Sequence, residues 1–229
     1  MRFNVFEKAK RRVDGPGDGA VRTSHGRRTA MSAVTVAALL VAAGVAWAAA
    51  TDNMVPTNNY NKACSTGNAD SGVVCQTDNA QVTYYMDSGG SDALETVDKN
   101  IVQKMMSAQY APTDLSISYD STPAWSGSSE TDIYYAEATV PGSADGTTWC
   151  NDAVSTYRCD QTYIRIEGGG SYTPGLSCHE TGHAVGLLHG SSASPQLSKT
   201  NKALGCMQTP VNYSEPLGSS NKENINGLY

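Results

Sequence analysis

The chain is short of basic residues where a nucleic acid would need them. Of its 16 Lys+Arg, 8 fall in the first 50 residues with only 3 of the 22 Asp+Glu, which leaves residues 51–229 with 8 basic and 19 acidic side chains, a net of −11. Phosphate backbones are held by clustered Lys and Arg, so this remainder is a poor nucleic-acid binder, and its surplus charge reads as a solvated surface. No internal repeat, phosphate-binding glycine loop or nucleophile elbow occurs, which sets aside solenoids, P-loop nucleotide hydrolases and elbow-type serine hydrolases. Histidine is scarce too: there are four, and three of them lie in the single run 179–189.

That run, His179-Glu180-Thr181-Gly182-His183-Ala184-Val185-Gly186-Leu187-Leu188-His189, fills every fixed position of HExxHxxGxxH. Residues four apart share one face of a helix, so the imidazoles of His179 and His183 can converge on one ion at roughly 2.0–2.1 Å. Glu180 is turned by about 100° from His179 around the helix axis. It is therefore placed as a general base beside a metal-bound water rather than as a ligand. Gly186 stands where a residue able to take positive φ ends the helix and turns the chain, returning His189 as third ligand. Thr173 supplies an N-cap oxygen and Pro174 a first helical residue, so the helix is expected from about Pro174 to Val185. Three neutral nitrogens leave a fourth position open, as a catalytic zinc site requires. The fourth histidine, His25, lies in the leader and is not expected to close it.

The motif resembles the zinc signature of the metzincin metalloendopeptidases. Met207, in Gly205-Cys206-Met207-Gln208-Thr209-Pro210, matches the methionine turn that this family carries beneath its metal. Matrixin-like members often have proline two residues after the methionine, whereas here it is three after, at Pro210; the tyrosine of astacin-like and serralysin-like members is replaced by Thr209. Snapalysin-like members usually end the motif with aspartate, where this chain has His189. The resemblance is thus to matrixin-like or small secreted actinobacterial metalloproteases, over about Leu176 to Pro210. It implies an α/β fold: a twisted, mostly parallel sheet with an antiparallel edge strand, a backing helix and a zinc-binding active-site helix. It also implies one catalytic Zn2+ held by His179, His183 and His189, with Met207 supporting the ligands from below. The activity implied is hydrolysis of peptide bonds by a zinc-bound water activated by Glu180.

The front of the chain suggests where this happens. Residues 1–28 are basic and residues 30–50 almost continuously apolar, ending Ala46-Trp47-Ala48-Ala49-Ala50. That is a signal-peptide layout with cleavage after Ala48 or Ala50. A retained anchor of this length could also span a bilayer with its basic side cytoplasmic. Either way residues 51–229 are expected outside the membrane, and membrane contact only if the anchor is kept.

All six cysteines, Cys64, Cys75, Cys150, Cys159, Cys178 and Cys206, follow the leader. An even number in an exported chain implies disulfides, and six allow 15 pairings. Cys64 with Cys75 and Cys150 with Cys159 are close in sequence, which leaves Cys178 with Cys206 to tie the metal helix to the Met207 turn.

Residues 51–80 read as a loop-like lead stapled by Cys64 and Cys75, and 81–229 as the catalytic domain. Strands are expected at Gln81 to Met86, Leu115 to Tyr119, Ile133 to Ala138, Thr147 to Cys150 and Thr162 to Glu167. A helix capped by Asp92 with Glu95 should bury Leu94, Val97, Ile101, Met105 and Ala108. Trp149, on the candidate edge strand, is expected near the cleft. The Asp87–Asp92 turn holds carboxylates that could take calcium, but turn chemistry accounts for its composition. A monomer acting on peptide or protein substrate is expected. The rival from another class is an extracellular zinc-binding or partner-binding module without turnover, which would have no use for Glu180.

Overall fold

A computed structural model describes residues 51–229 except Ser128. The expected leader, residues 1–50, lies outside the described residues. Among those described, no helix is long and apolar enough to cross a membrane.

The fold is α/β. Six strands form one sheet: β1 (Gln76–Thr77), β2 (Gln81–Met86), β3 (Ser116–Tyr119), β4 (Ile133–Glu137), β5 (Gly146–Ala153) and β6 (Arg158–Ile166). Their order is β1-β6-β4-β2-β3, with β5 also paired to β6. Every pairing is parallel except β5 with β6, whose register sets Thr148 opposite Ile164 and Trp149 opposite Tyr163. The expected strands all form, and β5 and β6 run longer than their apolar cores because the hairpin pairs polar residues through to Ala153 and Cys159.

Alternation sends Val82, Tyr84 and Met86 of β2, Ile133 and Tyr135 of β4, and Ile164 and Ile166 of β6 into one buried face. Against it pack α1 (Thr96–Met105) and α2 (Pro174–Ala184), with α3 (Ser219–Leu228) contributing the fully buried Ile225.

In α1 the expected stripe holds at Leu94 and Met105, which are buried, and in part at Ile101, but fails at Val97 and Ala108. The helix begins at Thr96 after Glu95, which makes no side-chain cap, while Asp92 ends a short 3-10 turn. Val97 is 56% exposed and Ala108 is also exposed; the buried stripe is Asp98, Val102, Met105, Met106 and Tyr110. A π-turn over Met106–Tyr110, closed by Ala111 N–H on the Met106 carbonyl at 2.9 Å, adds a residue to the turn and swings Tyr110 inward. Its hydroxyl then donates to the Cys178 carbonyl at 2.6 Å, joining the backing helix to α2.

The three disulfides are Cys64–Cys75, Cys150–Cys159 and Cys178–Cys206, with Cα separations of 5.6, 5.8 and 6.0 Å. The first two share one small apolar cluster that fixes the lead to the β5–β6 hairpin. Such bonds fit an oxidising compartment. In the Asp87–Asp92 turn, the Asp87 carboxylate accepts from Gly89 N–H at 3.0 Å and from the Tyr134 hydroxyl.

Candidate metal centre

α2 starts as its sequence dictates: Thr173 Oγ1 accepts from Leu176 N–H at 3.1 Å and Pro174 takes the first position. The helix ends at Ala184, and Gly186 turns the chain with φ of 99°. A side chain is strained there, and a Cβ would also lie 2.9 Å from the Met54 sulfur.

The turn brings the third histidine back. The Nε2 atoms of His179 and His183 are 3.2 Å apart, and His189 Nε2 lies 2.9 Å from the first and 3.0 Å from the second. Two of the rings are oriented by backbone carbonyls. His179 Nδ1 is 2.6 Å from Cys206 O and His183 Nδ1 is 2.8 Å from Leu187 O. A carbonyl only accepts, so each Nδ1 carries the proton and each Nε2 presents a lone pair. Burial pushes the His179 and His183 pKa values down, His183 far down, where the two neighbouring imidazoles add to the effect. His189 is lowered to about 4, by burial first and then by His179. Three neutral rings therefore bring their Nε2 atoms to one point, an arrangement that could hold a cation. Tetrahedral ligands at roughly 2.0–2.1 Å lie about 3.4 Å apart. The triad needs to open only by a few tenths of an ångström to fit.

Glu180 is 4% exposed. Its Oε2 accepts from the Thr148 hydroxyl at 2.6 Å, and its Oε1 lies against Gly146, where a Cβ would come within 2.7 Å. Burial raises its pKa to about 7, against the lowering effect of Thr148. The carboxylate is thus held by the edge strand and poised to exchange a proton near neutral pH.

Met207 is fully buried beneath α2. A Cβ on Gly182 would fall 2.3 Å from its sulfur, so glycine at 182 lets the Met207 side chain lie directly against the helix. Cys206, one residue earlier, is bonded to Cys178 and offers its carbonyl to His179.

His179, Glu180, His183 and His189 line an open cleft of about 510 Å3, walled by Tyr60, Leu176, Leu188, Pro210 and Val211. Trp149 is not in it. Because Thr148 faces Glu180, its neighbour must face the other side of the sheet. There Trp149 packs on Tyr163 at 5.5 Å between ring centres, and Tyr163 on Tyr134 at 4.8 Å. Thr148 and Tyr60 were not singled out from the sequence. The parity of β5 was a usable signal for Thr148; Tyr60 arrives by a long-range contact that leaves no local trace.

The chain matches no protein-family model and no curated protein.

Proposed function

We propose that this protein is a secreted zinc-dependent endopeptidase of the metzincin type. The observation that carries the reading is the placement of a buried carboxylate, Glu180, in the same cleft as three convergent imidazoles. A metal store or binding module needs the imidazoles but gains nothing from the carboxylate. The strand order, with β5 as antiparallel edge beside the helix that bears the histidines, supports the family assignment, as does the buried Met207 turn below that helix. Disulfides throughout the described chain support an extracellular setting.

His179, His183 and His189 would hold the zinc ion. When bound, zinc supplies Lewis acidity, lowering the pKa of a water to about 7 and polarising a carbonyl. The chain's own residues do the rest. Glu180 takes the proton of the attacking water and passes it to the departing amine, while Thr148 keeps Oε2 engaged so that the carboxylate cannot swing away. Cys206 and Leu187 fix the tautomers of His179 and His183 through their carbonyls. An extended peptide adds to the edge of β5 at residues 146–148, since further along Cys150 O is already taken by Gly67 N–H at 2.9 Å.

The test is to incubate the purified protein with a peptide library, with and without a zinc chelator, and sequence the products. Cleavage of internal bonds that stops with chelation and returns with zinc is expected. Cleavage that survives chelation, or none by the zinc-loaded protein, overturns the proposal.

A further inference from the structure

His189 has no helix beneath it, and its ring, unlike the other two, makes no Nδ1 hydrogen bond to protein among the described residues. What holds the loop that carries it is the lead of the chain. Asp52 and Ser194 exchange backbone hydrogen bonds of 3.1 and 2.7 Å, Leu188 N–H donates to Asn53 O at 2.7 Å, and Val55 N–H donates to Gly186 O at 3.0 Å. Side chains repeat the pattern. Asn53 Nδ2 donates to Leu188 O at 2.8 Å, Asn59 Nδ2 to Ala193 O at 2.6 Å, and the Thr57 hydroxyl to Ser192 O. Asn53 is 1% exposed and is itself locked from behind, its Oδ1 accepting from Asn224 Nδ2 of α3 at 2.8 Å.

A backbone-paired strap therefore grips the loop on both sides of His189, at Gly186 and Leu188 before it and at Ser192 to Ser194 after it. Loops without such partners open locally at little cost, and a ligand presented only part of the time lowers the apparent affinity by that fraction. We infer that residues 52–59 are the positioning element for the third metal ligand, with Asn53 and Thr57 as its positioning residues. The inference rests on the zinc reading of the triad.

The experiment is a competition between the full chain and a chromophoric zinc chelator, run on the wild type, Asn53→Ala, His189→Ala and the double variant. Asn53→Ala is expected to weaken zinc binding, because the apparent affinity falls by the fraction of chains in which the unheld loop still presents His189. It should add nothing to the loss caused by His189→Ala, because a strap that acts through His189 has no work once that ring is gone. Thr57→Val is expected to give the same non-additive pattern should Asn53→Ala fail to fold, and Thr57→Ser, which keeps the hydroxyl, to bind as the wild type does. Losses that add fully to that of His189→Ala, or strap variants that bind zinc as tightly as wild type, overturn the strap alone. A wild-type chain that takes up no zinc overturns the zinc reading and the strap with it.

Discussion

His179 and His183 stand on a helix braced at every level: capped by Thr173, bonded to the Tyr110 hydroxyl, bridged through Cys178 to Cys206 and seated on Met207. His189 stands on a loop whose chief restraint comes from Asn53, 135 residues before Leu188. Yet the three nitrogens meet within 3.2 Å. The difference teaches that one histidine triad can draw on two kinds of order. The helix pair is specified by local sequence and staples, the third histidine by the way the start of the chain returns to the loop.

The helix side can be broken most severely through its staple. Replacing Cys178 and Cys206 together with serine removes a crosslink spanning 28 residues. In the chain-entropy model that is expected to cost about 3–4 kcal/mol of unfolding free energy in a denaturant titration. Metal affinity should fall as well, since Cys206 O orients His179. A loss of stability with zinc affinity untouched would show that the bridge steadies a loop and nothing more.

A smaller effect separates the two sides by pH. In the metal-free protein His189 is held at about 4 against an ordinary 6.5. Between those values the unfolded chain binds a proton that the folded one refuses, so the stability contributed by this group is complete above about 6.5 and is lost as pH falls toward 4. His189→Ala is expected to flatten that part of the stability profile by on the order of 2 kcal/mol. His183 is depressed further, so its share of the slope should persist to lower pH. Denaturant midpoints measured from pH 7 to pH 4 read both; a profile unchanged by His189→Ala would mean that the third ring is solvated and free.

The strands and α2 were legible because their signals are local. Alternation located β2 and β4 within a residue or so, and Thr173-Pro174 with Gly186 bounded α2. The stripe of α1 was legible only in part: the helix starts at Thr96 rather than at an Asp92 cap, which leaves Val97 outside the buried face, and the π-turn at Met106–Tyr110 puts Tyr110 rather than Ala108 inside. Trp149 is expected near the cleft because it lies on the candidate edge strand, where the two-residue period of β5, once Thr148 faces inward, sends it to the opposite face. The disulfide partners followed from spacing. The strap did not, since Thr51 to Tyr60 carries polar side chains without periodicity and gains meaning only against the loop it grips.

The most direct test of the central claim is Glu180→Gln, assayed side by side for zinc content and for hydrolysis of unfolded casein. The amide keeps the shape of the carboxyl and can still meet Thr148, but it cannot take a proton. The account predicts about one zinc per chain in both proteins, with hydrolysis lost only in the variant. Wild-type hydrolysis by Glu180→Gln would contradict the role given to this residue.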